Sequence, residues 1–146
     1  MTEYEIRRQI SDLEERIQFQ RQLIRKQENR YSDLQALKSK INAMQQDFQY
    51  QNEARKNSLS RLFQMAVKAK TAKAYYEGMQ GLLTGRSFNN ALSGLDEARA
   101  KTDQEIRNCQ NAINEAEMNI ARYRNSIDSL NAMLIQVISQ AGEASC

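Results

Sequence analysis

One spacing constrains this chain more than any other feature. Stepping alternately by four and three residues from Phe88 reaches Leu92, Leu95, Arg99, Thr102, Ile106, Cys109, Ile113, Ala116, Ile120, Tyr123, Ile127, Leu130, Leu134, Val137 and Ala141. Only Arg99 and Thr102 interrupt the apolar series. A repeat of about 3.5 residues held over such a length describes one narrow stripe on a long helix with a left-handed supercoil. A strand, whose side chains alternate with period two, cannot present it. The spacing predicts a helix over 88–141 whose seam is carried by Ile106, Ile113, Ile120, Ile127, Leu130 and Leu134.

The first half follows the same rule less strictly. Ile6, Ile10, Leu13, Ile17, Ile24, Tyr31, Leu34, Ile41 and Phe48 share one series, with Gln20, Gln27, Lys38 and Gln45 as its polar members and Leu37 and Met44 displaced by one position. Polar members at seam positions favour specific contacts over merely adhesive ones. The stretch YQNEARKNS, residues 50–58, has almost no apolar side chain, and Leu59, Leu62, Phe63, Ala66 and Val67 then restart the stripe in a new phase. This is either a stutter within one helix or a short break near 50–58. The absence of glycine and proline there favours continuity.

The helix breakers cluster elsewhere. Three of the five glycines, Gly78, Gly81 and Gly85, fall within AYYEGMQGLLTGRSF, residues 74–88, and the chain has no proline. The expected architecture is therefore all-α, a single domain over 1–146 formed as a long, coiled-coil-like antiparallel helical hairpin: a helix over 3–74, a bend over 75–87 and a helix over 88–141. Tyr76 and Gly78 are the expected bend motif, the ring packing on the crossing helices and the glycine allowing positive φ. Thr2-Glu3-Tyr4-Glu5 reads as a capping box, Thr84 or Ser87 as a cap of the second helix, and Gly142 as a C-cap. At about 1.5 Å per residue such arms are roughly 108 and 80 Å long. The mismatch predicts an N-terminal overhang of roughly 18 residues, including Ile6, Ile10, Leu13 and Ile17. An uncovered apolar stripe is costly in water, so Ile10, Leu13, Ile17 and Ile24 are the expected partner-binding residues, and the partner is another helical protein or a second copy.

Composition narrows the function. The chain has no histidine, which removes the commonest general base, the Ser-His-Asp and Cys-His arrangements and the usual zinc sites. Enzymatic chemistry, a metal and a cofactor are not expected. Of the two cysteines, Cys109 lies on the seam as a small core residue, while Cys146 ends the chain; on one continuous helix they stand roughly 55 Å apart, too far for a disulfide. Net charge is +3, but residues 1–74 carry 15 basic and 9 acidic side chains and residues 75–146 carry 6 and 9. Antiparallel halves of opposite sign attract weakly. The acid-free run from Arg55 to Lys73 is amphipathic and reads first as a charged outer face. A helix binding nucleic acid or an anionic membrane is the alternative, with only Phe63 available for base stacking. No stretch is apolar enough to span a bilayer, and the first residues lack the apolar core of a signal peptide. The expected location is the cytoplasm of the producing cell, with any export following a route without a cleavable signal.

The stretch Tyr76-Glu77-Gly78 adds a resemblance. A helical hairpin with an aromatic residue, any residue, then glycine near its bend resembles the WXG-type small secreted proteins of type VII secretion. The overall layout is similar to the YwqH-like family of helical proteins associated with LXG toxins in Gram-positive bacteria, over nearly all of the chain. Tyrosine stands where that motif has tryptophan. No Tyr or Phe is followed four residues later by the acid that marks export-targeting helices: Tyr123 has Ile127 there and Asp128 one further. The resemblance implies a chaperone or targeting subunit that binds the N-terminal helical region of a type VIIb toxin, alongside a second small helical subunit supplying the export signal. A self-associating coiled-coil scaffold is the alternative from the residues alone.

Overall fold

A computed structural model describes residues 1–65 and 70–144, without the side chains of 62–65, 70–73, 75, 76 and 83. The chain is an all-α antiparallel helical hairpin of three helices, α1 (Glu3–Met65), α2 (Lys70–Thr84) and α3 (Arg86–Ala144). Among the described residues there is no strand. The chain packs as two units, one formed by Met1–Ser32 with Arg107–Cys146 and the other by Asp33–Ile106.

α1 begins at the expected capping box. The Glu5 amide donates to Thr2 Oγ1 at 3.2 Å, and the Thr2 amide donates back to Glu5 Oε2 at 2.8 Å. Two amides that the first turn leaves without helical partners are thereby satisfied. The helix then runs without a break through 50–58. From Ile6 to Phe48 every member of the four-three series is buried or half-buried. Beyond Phe48 the covered positions are Asn52, Lys56 and Leu59, so two steps of four follow one another. That is a stutter, which shifts the stripe's phase without ending the helix.

Gly78 and Gly81 do not interrupt the helix. Of residues 75–87, expected to form the bend, 75–84 are helical in α2 and 86–87 in α3. Gln80 lies beside Lys56, Leu59 and Ser60, and Phe88 stacks on Phe48, so the chain already runs antiparallel to α1 by Gln80. Residues 66–69, between α1 and α2, lie outside the described residues, as does the expected continuation of the first helix through them. The glycine cluster instead marks a discontinuity within the returning arm. Thr84 Oγ1 donates to the Gln80 carbonyl at 2.6 Å, a back-bond that bends helices, and Gly85 alone separates α2 from α3. A Cβ at Gly85 would collide with the carbonyl oxygen of Gly81, whereas Gly78 and Gly81 face open space. No described glycine has positive φ. Neither Thr84 nor Ser87 caps α3, which starts at Arg86, and Gly142 lies inside α3 rather than at its end.

Since the returning arm includes α2, the arms do not differ as the sequence suggested. The predicted overhang is absent: Ile6 is 0% exposed and Ile17 6%. Both belong to the core of the unit that joins the two ends of the chain.

Candidate functional site

In the unit of Asp33–Ile106, the polar interruptions of the two stripes answer one another. Lys38 Nζ and Asp103 Oδ1 are 2.7 Å apart. Gln45 Nε2 donates to Asp96 Oδ1 at 3.0 Å, and Arg99 Nη1 donates to Gln45 Oε1 at 3.3 Å. Arg99 also pairs with Asp96 at 3.2 Å. Thr102, the other polar member of the α3 series, is buried and returns its hydroxyl to the Ala98 carbonyl at 2.8 Å. These contacts select one alignment, because sliding either helix by a heptad would set a charged or amide side chain against an apolar one. One turn along α1, the Phe48 and Phe88 rings stack with centroids 5.2 Å apart and 18° between planes, and Lys56 Nζ lies 5.6 Å from the Phe88 centroid. Asn52 is 6% exposed, and its Nδ2 has no hydrogen-bond partner among the described residues.

In the unit of Met1–Ser32 with Arg107–Cys146, the covered row is mostly apolar, with Gln20 and Gln27 half-buried in it. Ile6, Ile17, Cys109, Ala116 and Ile120 are buried, while Ile10, Leu13, Ile24, Ile113, Tyr123, Ile127, Leu130 and Leu134 are half-buried. The expected partner residues Ile10, Leu13, Ile17 and Ile24 therefore lie along the hairpin's own seam rather than on a free overhang. An open groove of about 670 Å³ follows α1 past Glu14, Ile17, Gln18, Phe19 and Gln22 and reaches Ile127. Cys109 is a buried free thiol, as its seam position predicts.

The apolar surface left to solvent is elsewhere. Tyr4, Phe19, Leu37, Met44 and Tyr50 on α1, Leu82 on α2 and Met118 on α3 are exposed, and near the end of α3 so are Met133, Ile135 and Ile138. The seam spacing does not select Ile135 or Ile138, so periodicity passed over them. The signal that finds them is charge: residues 129–142, SLNAMLIQVISQAG, form the longest uncharged run in a chain whose residues are 27% charged.

The expected bend motif is dispersed by the fold. Tyr76 and Gly78 lie within α2, and Gly78 is exposed with nothing near its Cα that a methyl would touch. Of the basic run, Arg55 and Arg61 are exposed and Lys56 lies over Phe88, while the side chains of 62–73 lie outside the described residues. Among the described residues no three His, Cys, Asp or Glu side chains gather as a metal site, and no helix is long and apolar enough to cross a membrane. No protein-family model, curated protein or solved structure matches the chain.

Proposed function

We propose that this chain is a non-enzymatic binding subunit, a helical hairpin that completes a larger bundle with another helical protein. The observation that carries the reading is the thinness of its core. Among the described residues only eight apolar side chains are buried, Ile6, Ile17, Ile41, Leu59, Ile106, Cys109, Ala116 and Ile120. The chain exposes 10986 Å², where a compact monomer of its mass would expose about 7,700 Å². Two helices cover one seam between them, and further helices are what cover its flanks.

The narrower form of this proposal is an accessory, chaperone or targeting subunit of a type VIIb secreted LXG-type toxin. It rests on the resemblance in layout. The helical state of Tyr76 and Gly78 removes the bend motif from its support, leaving the long isoleucine and leucine repeat of α3. The test is co-expression with helical-domain proteins encoded beside this one, followed by light scattering behind size exclusion. A defined heteromer weakened by Phe19→Asp, with helicity unchanged by circular dichroism, is the expected result. A chain that ignores every such neighbour and remains fully helical alone would remove the toxin-associated form.

A further inference from the structure

The uncharged end of α3 carries an inference beyond a helical partner in general. At 100° per residue, Met133, Val137, Leu130, Leu134, Ile138 and Ile135 occupy an arc of roughly 200° around the helix. A surface helix packed on one neighbour needs an apolar stripe of about 100°. One flank of the arc is only half covered, and Ile135 remains 67% exposed and Ile138 46%. Their neighbours on that flank, at the same four-three spacing, are Asn131 and Gly142, one uncharged and one without a side chain.

We propose that this flank is the contact between two copies of the chain, with the last turns of α3 packed antiparallel about a twofold axis. A twofold contact places the same patch on both sides, so any net charge in it would meet itself. From Ser129 to Gly142 there is none, and charge depletion marks the centre of protein interfaces. The residue pattern is self-complementary under such an axis. Placing Ile135 of one copy against Ile138 of the other also brings Asn131 against Gly142, and no charged side chain from 129–142 enters the contact.

The experiment uses the full chain over a dilution series in light scattering behind size exclusion. The expected mass is twice the 16.9 kDa of one chain, falling to a single chain in Ile135→Glu and Ile138→Glu with circular dichroism unchanged. Both positions are exposed, so folding is kept. A second measurement places Asn131→Cys with Gly142→Cys in a background of Cys109→Ala and Cys146→Ser. Oxidised glutathione should then link two chains, since within one chain these positions are roughly 16 Å apart along the helix. A monomer at every concentration, a dimer indifferent to both glutamates, or no crosslink would each overturn the twofold contact. A monomer that still binds a helical neighbour would overturn it while leaving the proposed function standing.

Discussion

The two units hold their helices together by different means. In Asp33–Ile106 polar contacts cross between the helices, Lys38 with Asp103 and Gln45 with Asp96 and Arg99, beside the buried Ile41, Leu59 and Ile106 and the stacked Phe48 and Phe88. In Met1–Ser32 with Arg107–Cys146 the buried side chains, Ile6, Ile17, Cys109, Ala116 and Ile120, are apolar, with Gln20 and Gln27 half-buried in the same seam. Polar contacts of this kind are worth little net energy but penalise misalignment, whereas apolar burial contributes free energy and tolerates slippage. The polar contacts of Asp33–Ile106 therefore set register, while apolar burial in both units supplies adhesion. Neither would serve alone on helices this long, where many heptad shifts compete.

The sharpest break of this comparison is truncation. Ile120→Ala, in the buried apolar row, should cost about 2 to 5 kcal/mol in chemical denaturation. The Lys38–Asp103 coupling, read from a double-mutant cycle, should be about 0.2 to 1 kcal/mol because both side chains remain about a third exposed. Equal costs would show that the polar contacts are principal sources of stability and would erase the distinction. Asn52 sharpens it from the other side. With a buried amide lacking a partner, Asn52→Leu should stabilise the protein by about 1 to 2 kcal/mol, and a loss of stability would mean that the amide is satisfied in solution.

The sequence exposed the seam more completely than the turn. Fifteen members of the α3 series, Phe88 to Val137, are covered or half-covered, and only Ala141 is exposed. A stripe is repeated many times and each repeat reinforces the phase. The turn is written once, and glycine signals only permission to depart from a helix. Gly78 and Gly81 do not use that permission: a bend was expected over 75–87, where 75–84 are helical, and Ile6 and Ile17 were expected to be free when they are buried. The outer flank at Ile135 and Ile138 escaped the same reasoning because a two-helix seam has no place for it.

The glycines themselves test this account. Gly78→Ala and Gly81→Ala occupy helical positions open to solvent, so each should stabilise by about 0.5 to 1 kcal/mol. Gly85→Ala should yield no such gain, because its methyl meets the Gly81 carbonyl oxygen. Three equal gains in thermal or chemical denaturation would mean that α2 and α3 straighten into one helix without cost.

The smallest expected effect lies at the start of α1, in the reciprocal capping contact of Thr2 and Glu5. The Glu5 carboxyl is held below its ordinary value of 4.5, chiefly by the hydrogen bond from the Thr2 backbone amide, with the Thr2 side chain and the chain's N-terminal charge adding to it. A carboxyl depressed in the folded state stabilises that state above its unfolded pKa and ceases to do so as pH falls through the folded value. The first turn should therefore fray on acidification below about pH 4.5, seen as lower protection of the Glu5 and Ile6 amides against exchange once the intrinsic rate at each pH is divided out. The group is fully exposed and the box is local, so the melting of the rest of α1 should not follow it. Glu5→Gln keeps an acceptor without the charge, and should abolish the pH dependence of that protection. If the fraying persisted in Glu5→Gln, a different carboxylate would be its source, and the start of α1 would be held by something other than this box.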